Sequence, residues 1–214
     1  MRRKDREMGR AFGLVVIDRA PFGVLSVLEP DGQPYGLPLS IARKGDTLYF
    51  HSATGGKKTT LLPNGAPVHV VFVGEVRVPA VMAQEEAEEA AKDPARFGEL
   101  TSKLFTTEFE SAMVRGRVRL LTSDEEKTRG LWLISRKFTP QWMPYFPQAV
   151  ESGLKHTAVY AVDIDEITAK RKKYDAAGVE MKWQRTEPGE SPRPSAGPRS
   201  YETNEQTHRG DENP

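Results

Sequence analysis

Between residues 22 and 52 three β-rich runs are separated by nothing longer than a tight turn, and no other feature of the chain constrains its fold as strongly. Residues 22–29, Phe-Gly-Val-Leu-Ser-Val-Leu-Glu, alternate and favour apolar and β-branched side chains. Pro30-Asp31-Gly32-Gln33 follows as a turn. Residues 35–42 form the returning strand, Lys44-Gly45-Asp46 turns again, and residues 47–52 form a third strand. Links this short join only antiparallel neighbours, because a parallel pair needs a crossover of a dozen or more residues. A three-stranded meander also leaves open edges, so it needs closure or cover.

The rest of the chain supplies that cover. Residues 10–19 carry Phe12, Val15, Val16 and Arg19 at helical spacing, and Pro21 ends the helix. Gly55-Gly56-Lys57-Lys58 introduces a short helix through Leu62. Residues 67–76 are a nearly continuous apolar strand, a pattern that predicts burial on both faces. Residues 84–92 are Ala-rich, and Glu85, Glu86, Glu88 and Glu89 mark a solvated helix; residues 94–104 continue as a second helical piece. Residues 111–121 alternate as a long strand. Ser123 is placed as an N-cap with Asp124, Glu125 and Glu126 in the first turn, favoured by the helix dipole, and that helix runs to about Lys137. Residues 157–164 form the last strand, and there is no internal repeat. The order β-β-β-α-β-α-β-α-β predicts an α+β, mainly β fold: a six-stranded antiparallel split or closed barrel with peripheral helices. Helix–strand alternation also fits a doubly wound sheet, but the opening meander argues against it.

Composition divides the chain in two. The last thirty residues, 185–214, hold two hydrophobic residues, five prolines, three glycines and ten charges. Such a segment buries too little apolar surface to offset its ordering entropy. Residues 1–175 are therefore read as the folded domain and 176–214 as a polar, largely disordered tail. Outside residues 185–214 the chain has 27 basic and 24 acidic residues, a near balance that argues against nucleic acid or an anionic membrane as partner. No apolar run reaches the length of a membrane span, and the run 12–17 is too short for a signal peptide, so a cytoplasmic protein is expected. With no cysteine there is no disulfide, thiolate metal site or thiol nucleophile, and the four histidines, His51, His69, His156 and His208, show no metal-ligand spacing.

The informative segment is Tyr49-Phe-His-Ser-Ala-Thr-Gly-Gly-Lys-Lys58. A strand ends, two glycines allow close backbone approach, and two lysines enter a helix. That combination suits a phosphate: glycine lets N–H groups reach an anion, the helix N-terminus favours negative charge, and lysine adds a point charge. A hydroxyl from Ser52 or Thr54 could complete the cradle. An exposed turn with solvated lysines is the other reading of the pattern, and the P-loop signature is absent.

Several segments together resemble a known family. Leu37-Pro38-Leu39-Ser40, Leu48-Tyr-Phe-His-Ser-Ala with Gly-Lys-Lys58, Phe72-Val-Gly-Glu75, Phe105 through Gly116, and Leu154-Lys-His-Thr-Ala-Val with Asp165 through Arg171 occur in the order found in the pyridoxamine-phosphate-oxidase-like split barrels. The branch they resemble is the Nim-type, flavin-nucleotide-binding one, over roughly residues 2–175. The resemblance implies a six-stranded split β-barrel that forms a homodimer, with FMN in each of two clefts between subunits. It implies that Ser52, Lys57 and Lys58, beside Ala53, hold the FMN phosphate, and that Leu39 and Ser40 face the isoalloxazine. Ser111 takes the place of a flavin-contacting glutamine that comes from the partner subunit. His51 occupies the position of the branch's active-site histidine, where an imidazole titrating near pH 6.5 passes or positions protons. A hydrogen-bonded structural histidine is the other reading.

Departures narrow the expected activity. Gly36 stands where true pyridoxamine phosphate oxidases carry a phosphate-binding arginine, and their arginine-bearing ending is replaced by the polar tail. Ala169 replaces a glycine before Lys170, which weakens any role for that lysine. The run Lys170-Arg-Lys-Lys173 is read as a solvated strand end, and Trp132, Trp142, Tyr145 and Phe146 as helix packing or a dimer surface. Three functions follow: an FMN-dependent reductase of small electrophiles such as nitroimidazole-type compounds, a flavin storage protein without turnover, or a haem- or deazaflavin-binding relative with His51 as a possible iron ligand.

Overall fold

The computed structural model of the chain describes residues 2–78, 83–175 and 178–182. Its strands are β1 (Glu7–Met8), β2 (Gly23–Leu28), β3 (Pro34–Leu39), β4 (Ala42–Lys44), β5 (Thr47–Ala53), β6 (Pro67–Arg77), β7 (Glu108–Leu120) and β8 (Thr157–Lys172). The helices are α1 (Arg10–Arg19), α2 (Lys57–Leu61), α3 (Gln84–Ala91), α4 (Pro94–Leu104), α5 (Asp124–Phe138) and α6 (Phe146–Gly153). All pairings are antiparallel, in the order β3-β2-β6-β7-β8-β5-β4, with β1 added to β8. The fold is the expected α+β split barrel, with eight strands rather than six. The extra two are β1 and β4, each only two or three residues long.

The meander is corrected at its second turn. Residues 35–42 are not one strand: β3 stops at Leu39, and β4 starts at Ala42 on the opposite edge of the sheet. The third run pairs with β4 and β8, never with β3. Pro34 and Pro38 in β3 lack the N–H a second ladder would need, which suits an edge position. The two edges of the sheet are thus joined by Ser40 and Ile41 alone. The curled sheet is closed by the covalent chain where it lacks hydrogen bonds, and that gap is the split.

The core fills the curl. Phe50 and Phe72 are fully buried and Tyr160 nearly so, beside Leu25, Leu48, Val70, Val114 and Val162. Phe50 and Tyr160 stack with centroids 5.0 Å apart and planes 10° off parallel. α1 crosses one end at Gly13, where a Cβ would lie 2.7 Å from Ile167 Cγ2, so its Val16 and Ile17 reach the interior. α5 covers the outer face of β5 and β8 at Gly130, where a Cβ would lie 2.9 Å from Val159 Cγ1. Ser123 caps α5 as expected: its Oγ accepts a hydrogen bond of 3.1 Å from Glu126 N.

Three further expectations change. β6 is buried on one face only: Val68, Val70 and Phe72 point inward while Pro67, His69 and Val73 are exposed. The last strand is twice its expected length, because β8 pairs with β7 along nearly all of its residues. Lys170-Arg-Lys-Lys173 is not a solvated end; Arg171 and Lys172 are buried. The carboxylate of Glu108 receives Arg77 and, at 2.6 Å, the backbone N–H of Tyr174, and Lys172 donates to Thr106 Oγ1. Residues 178–182 fold back onto this end, with Met181 buried and Glu180 paired with Arg6 at 2.5 Å. The remaining residues of the expected tail, 176, 177 and 183–214, lie outside the described residues. Glu85, Glu86, Glu88 and Glu89 are exposed on α3, as read. Among the described residues no helix is long and apolar enough to cross a membrane.

Candidate functional site

Strand alternation sorts the informative segment into two faces. Leu48, Phe50 and Ser52 point into the barrel, and Tyr49, His51 and Ala53 point out. Tyr49 is covered by Gly130 of α5, whereas His51, two residues on, is exposed. Partial desolvation, then the charge of Lys58, hold the His51 imidazole below its ordinary pKa of 6.5. At pH 7 it is therefore a neutral ring with one donor and one acceptor nitrogen.

Gly55 and Gly56 turn the chain from β5 into α2, and Gly56 adopts φ 98°, a left-handed conformation natural only to glycine. The turn sends the two lysines different ways. Lys57 Nζ is held by Glu29 Oε1 at 2.6 Å and lies 4.6 Å from the centre of the Tyr35 ring. Lys58 is half-buried, acts electrostatically on His51, and has no carboxylate partner among the described residues. Of the two lysines expected to hold phosphate, only Lys58 is uncommitted among the described residues.

The split supplies the other wall. β3 is the edge of the sheet, and β4 pairs only with Thr47, Leu48 and Tyr49. The strand edge from Phe50 to Ala53 that faces away from β8 therefore carries backbone donors and acceptors outside the sheet ladder. Leu39 packs partly onto the core, Ser40 is exposed, and both lie at the start of the crossover between the two edges. The split thus presents free backbone groups on both sides, with His51 and Lys58 on its β5 side.

Two expected residues lie apart. Ser52 is buried and its Oγ donates to Ala53 O at 2.8 Å, on the opposite face of β5 from His51. Ser111 pairs with Val73 and Lys170. It sits ten positions along the chain from Leu121, whose N–H bonds Val159, the partner of His51. That is roughly 33 Å of strand. Within one subunit Ser111 and His51 occupy different ends of the barrel. His69 and His156 are exposed, His156 directly before Thr157, the β8 partner of Ala53, and His208 lies outside the described residues.

The sequence reading missed Glu29 and Tyr35, whose contacts with Lys57 span 28 and 22 residues and carry no local signal. It also missed Lys137, which reaches the crossover. Nothing local in the sequence points to either.

Two grooves flank the site. One of about 450 Å³ lies at the barrel end beside Thr54, Thr59, Asn64 and Tyr160. A larger one, about 810 Å³ and mainly apolar, runs under the β2–β3 hairpin past Val27, Leu28, Leu61 and Val68 to the Arg115–Glu166 ion pair.

The model of the pyridoxamine 5'-phosphate oxidase family matches residues 14–171. No curated protein matches the chain. Solved structures share the fold. A candidate 5-nitroimidazole antibiotic resistance protein from Bacteroides thetaiotaomicron is 24% identical, with a TM-score of 0.57 over 77% of this chain and 86% of that one. An FAD- and heme-binding protein from Mycobacterium smegmatis is 21% identical, with a TM-score of 0.59 over 78% and 73%. A flavocytochrome from Azotobacter vinelandii is 18% identical, with a TM-score of 0.55 over 87% and 84%.

Proposed function

The chain belongs to the pyridoxamine 5'-phosphate oxidase family, and we propose that within it this protein binds a flavin, FMN first, in the split between β3 and β5 and reduces small electrophiles such as nitroimidazole-type compounds. The observation that carries this reading is the uncommitted Lys58 beside a neutral His51, next to two strand edges with free backbone groups. Support also comes from proteins of similar fold, among them an FAD- and heme-binding protein, a flavocytochrome and a candidate 5-nitroimidazole resistance protein.

The residues fit such a cofactor. Lys58 meets the phosphate as a point charge, and the exposed backbone of Leu39 and Ser40 offers hydrogen bonds to the polar edge of a flat ring. Ala53 faces the same side as His51 and adds no bulk. His51 holds or releases one proton at a ring nitrogen beside the acceptor. Ser52 supports the strand from inside rather than touching the ligand. A bound isoalloxazine would supply the redox chemistry, which no cysteine of this chain can. Pyridoxal phosphate synthesis is not the proposed activity, because Gly36 offers no side chain where true pyridoxamine phosphate oxidases carry a phosphate-binding arginine.

The protein acts as a homodimer with the cofactor at the interface. Ser111 lies too far along its own barrel to share a flavin with its own His51, whereas a two-fold partner can bring it there. The apolar groove under the β2–β3 hairpin and the exposed Leu28 give that partner a surface to cover. Purified protein should be yellow, release FMN on denaturation, bleach anaerobically with NADH or NADPH and reoxidise with a nitroaromatic. Failure to take up FMN at micromolar concentration would sink the reading. A Soret band would replace flavin with haem, and flavin that is bound but never cycled would mean storage.

A further inference from the structure

Lys137, near the C-terminus of α5, donates to two backbone carbonyls: Ile17 O at 3.0 Å and Ile41 O at 2.9 Å. Each carbonyl needs it for a separate reason. Ile17 lies in the last turn of α1, and the residue four positions on, whose N–H would ordinarily bond its carbonyl, is Pro21, which has none. Ile41 lies in the crossover between β3 and β4, where the chain has left one edge of the sheet and not yet joined the other. Both residues are almost fully buried, at 0% and 1% exposure, so water is a poor substitute partner. An ammonium group has three N–H donors and can bond both carbonyls at once.

We propose that Lys137 is a positioning residue for the cofactor cleft: by holding the Ile41 carbonyl against the end of α1, it sets the path of Leu39 and Ser40 along the split. That role rests on the flavin reading above, but the contact itself does not. Among the described residues the crossover has no strand partner on either side that could hold it instead.

The charge environment makes the latch sensitive to pH. Burial lowers the Lys137 pKa to about 8, with Asp18 on α1 raising it and Arg43 on β4 lowering it. Asp18 is paired with Arg43, at 3.0 and 2.5 Å, so its carboxylate is not free to neutralise the ammonium fully. The two consequences of deprotonation have opposite signs. A folded pKa below the unfolded one means the unfolded chain binds the extra proton from about pH 8 to 10.5, so this group favours folding more as pH rises through that window. Over the same rise the hydrogen bonds to Ile17 and Ile41 lose their charge assistance, and the cleft loosens. A merely structural lysine would move stability and ligand affinity together.

The test uses the full chain in three forms: wild type, Lys137→Met and Lys137→Arg. Flavin fluorescence gives the FMN Kd from pH 7 to 9, and amide hydrogen exchange of the cofactor-free protein gives protection at Ile41 and Ala42. Expected at pH 7 is about a tenfold rise in Kd for Lys137→Met, and several-fold faster exchange confined to the crossover. Wild-type Kd should rise several-fold toward pH 9, while Lys137→Arg, which keeps its charge, should match wild type at pH 7 and stay level. Wild-type Kd and exchange in a folded Lys137→Met would overturn the role. If Lys137→Met does not fold, the pH profiles decide, and a wild-type profile identical to that of Lys137→Arg overturns it. If no form binds FMN, the flavin reading fails alone, and exchange at Ile41 still decides whether Lys137 holds the crossover.

Discussion

The two ends of the barrel treat charge in opposite ways. At the end where β7 begins and β8 finishes, charged groups find partners within the chain: Arg77 and the Tyr174 N–H with Glu108, Arg6 with Glu180, Lys172 with the Thr106 hydroxyl. Residues 178–182 and β1 close over them. At the other end Lys58 has no carboxylate among the described residues, His51 is exposed, and two strand edges are unpaired. Basic residues are more numerous at the sealed end than at the split. A cluster of positive charge is therefore no guide to a ligand site; a cation whose partner is missing is a better one.

Substitutions at the two ends should fail differently. The largest effect is expected for Glu108→Ala, which removes a buried carboxylate and takes away the partner of Arg77 and of the Tyr174 N–H. It should cost about 2–4 kcal/mol and lower Tm by roughly 4–16 °C in thermal melts, with FMN affinity unchanged in the protein that remains folded. If Glu108→Ala instead released flavin without a change in Tm, the two ends would not be separable. Next comes Lys58→Ala, which should weaken FMN binding by about 1.5–3 kcal/mol, roughly 10- to 100-fold by titration, and leave the melting of the cofactor-free protein within about 2 °C.

Smaller effects test the same contrast through pH. Burial of Glu180 works against its ionisation, but the hydrogen bond and charge of Arg6 outweigh it and hold the carboxyl below its ordinary value. Its contribution to stability is then present above about pH 4.5 and is lost as the pH falls through the lower folded value. Acid should therefore speed exchange first in residues 178–182, read by hydrogen exchange between pH 5 and 3, with little change at β5. The smallest effect is on His51. An NMR titration should place its imidazole below 6.5, and Lys58→Ala should bring it partway back; an unmoved value would separate the two residues.

What could be read from the sequence was local, and what could not was long-range. The bounds of α1 and the Ser123 cap follow from neighbours in the chain, and so do most strands. β6 was misread because Val71 and Val73 on the outer face are as apolar as Val70 and Phe72 inside, so its alternation is invisible in residue type. The end of β8 was misread because a run of basic residues looks solvated until Glu108, more than sixty positions earlier, is placed beside it. At the site, His51 and Lys58 were found because they lie on one turn. The loss of Lys57 to Glu29 and the reach of Lys137 to Ile41 depend on how distant segments meet, and composition does not encode that.

The two-residue crossover also acts as a mechanical stop. Leu39 and Ala42 terminate strands on opposite edges of the sheet, and three peptide links separate them. Their Cα atoms cannot move more than about 11 Å apart however the barrel flexes. A thin planar guest can slide between the edges, whereas a thick one must first strip β4 from β5. The chain therefore sets an upper limit on aperture here that no side-chain rearrangement can relax, and only lengthening the segment would change it. Inserting glycines between Ser40 and Ile41 would widen that limit one residue at a time.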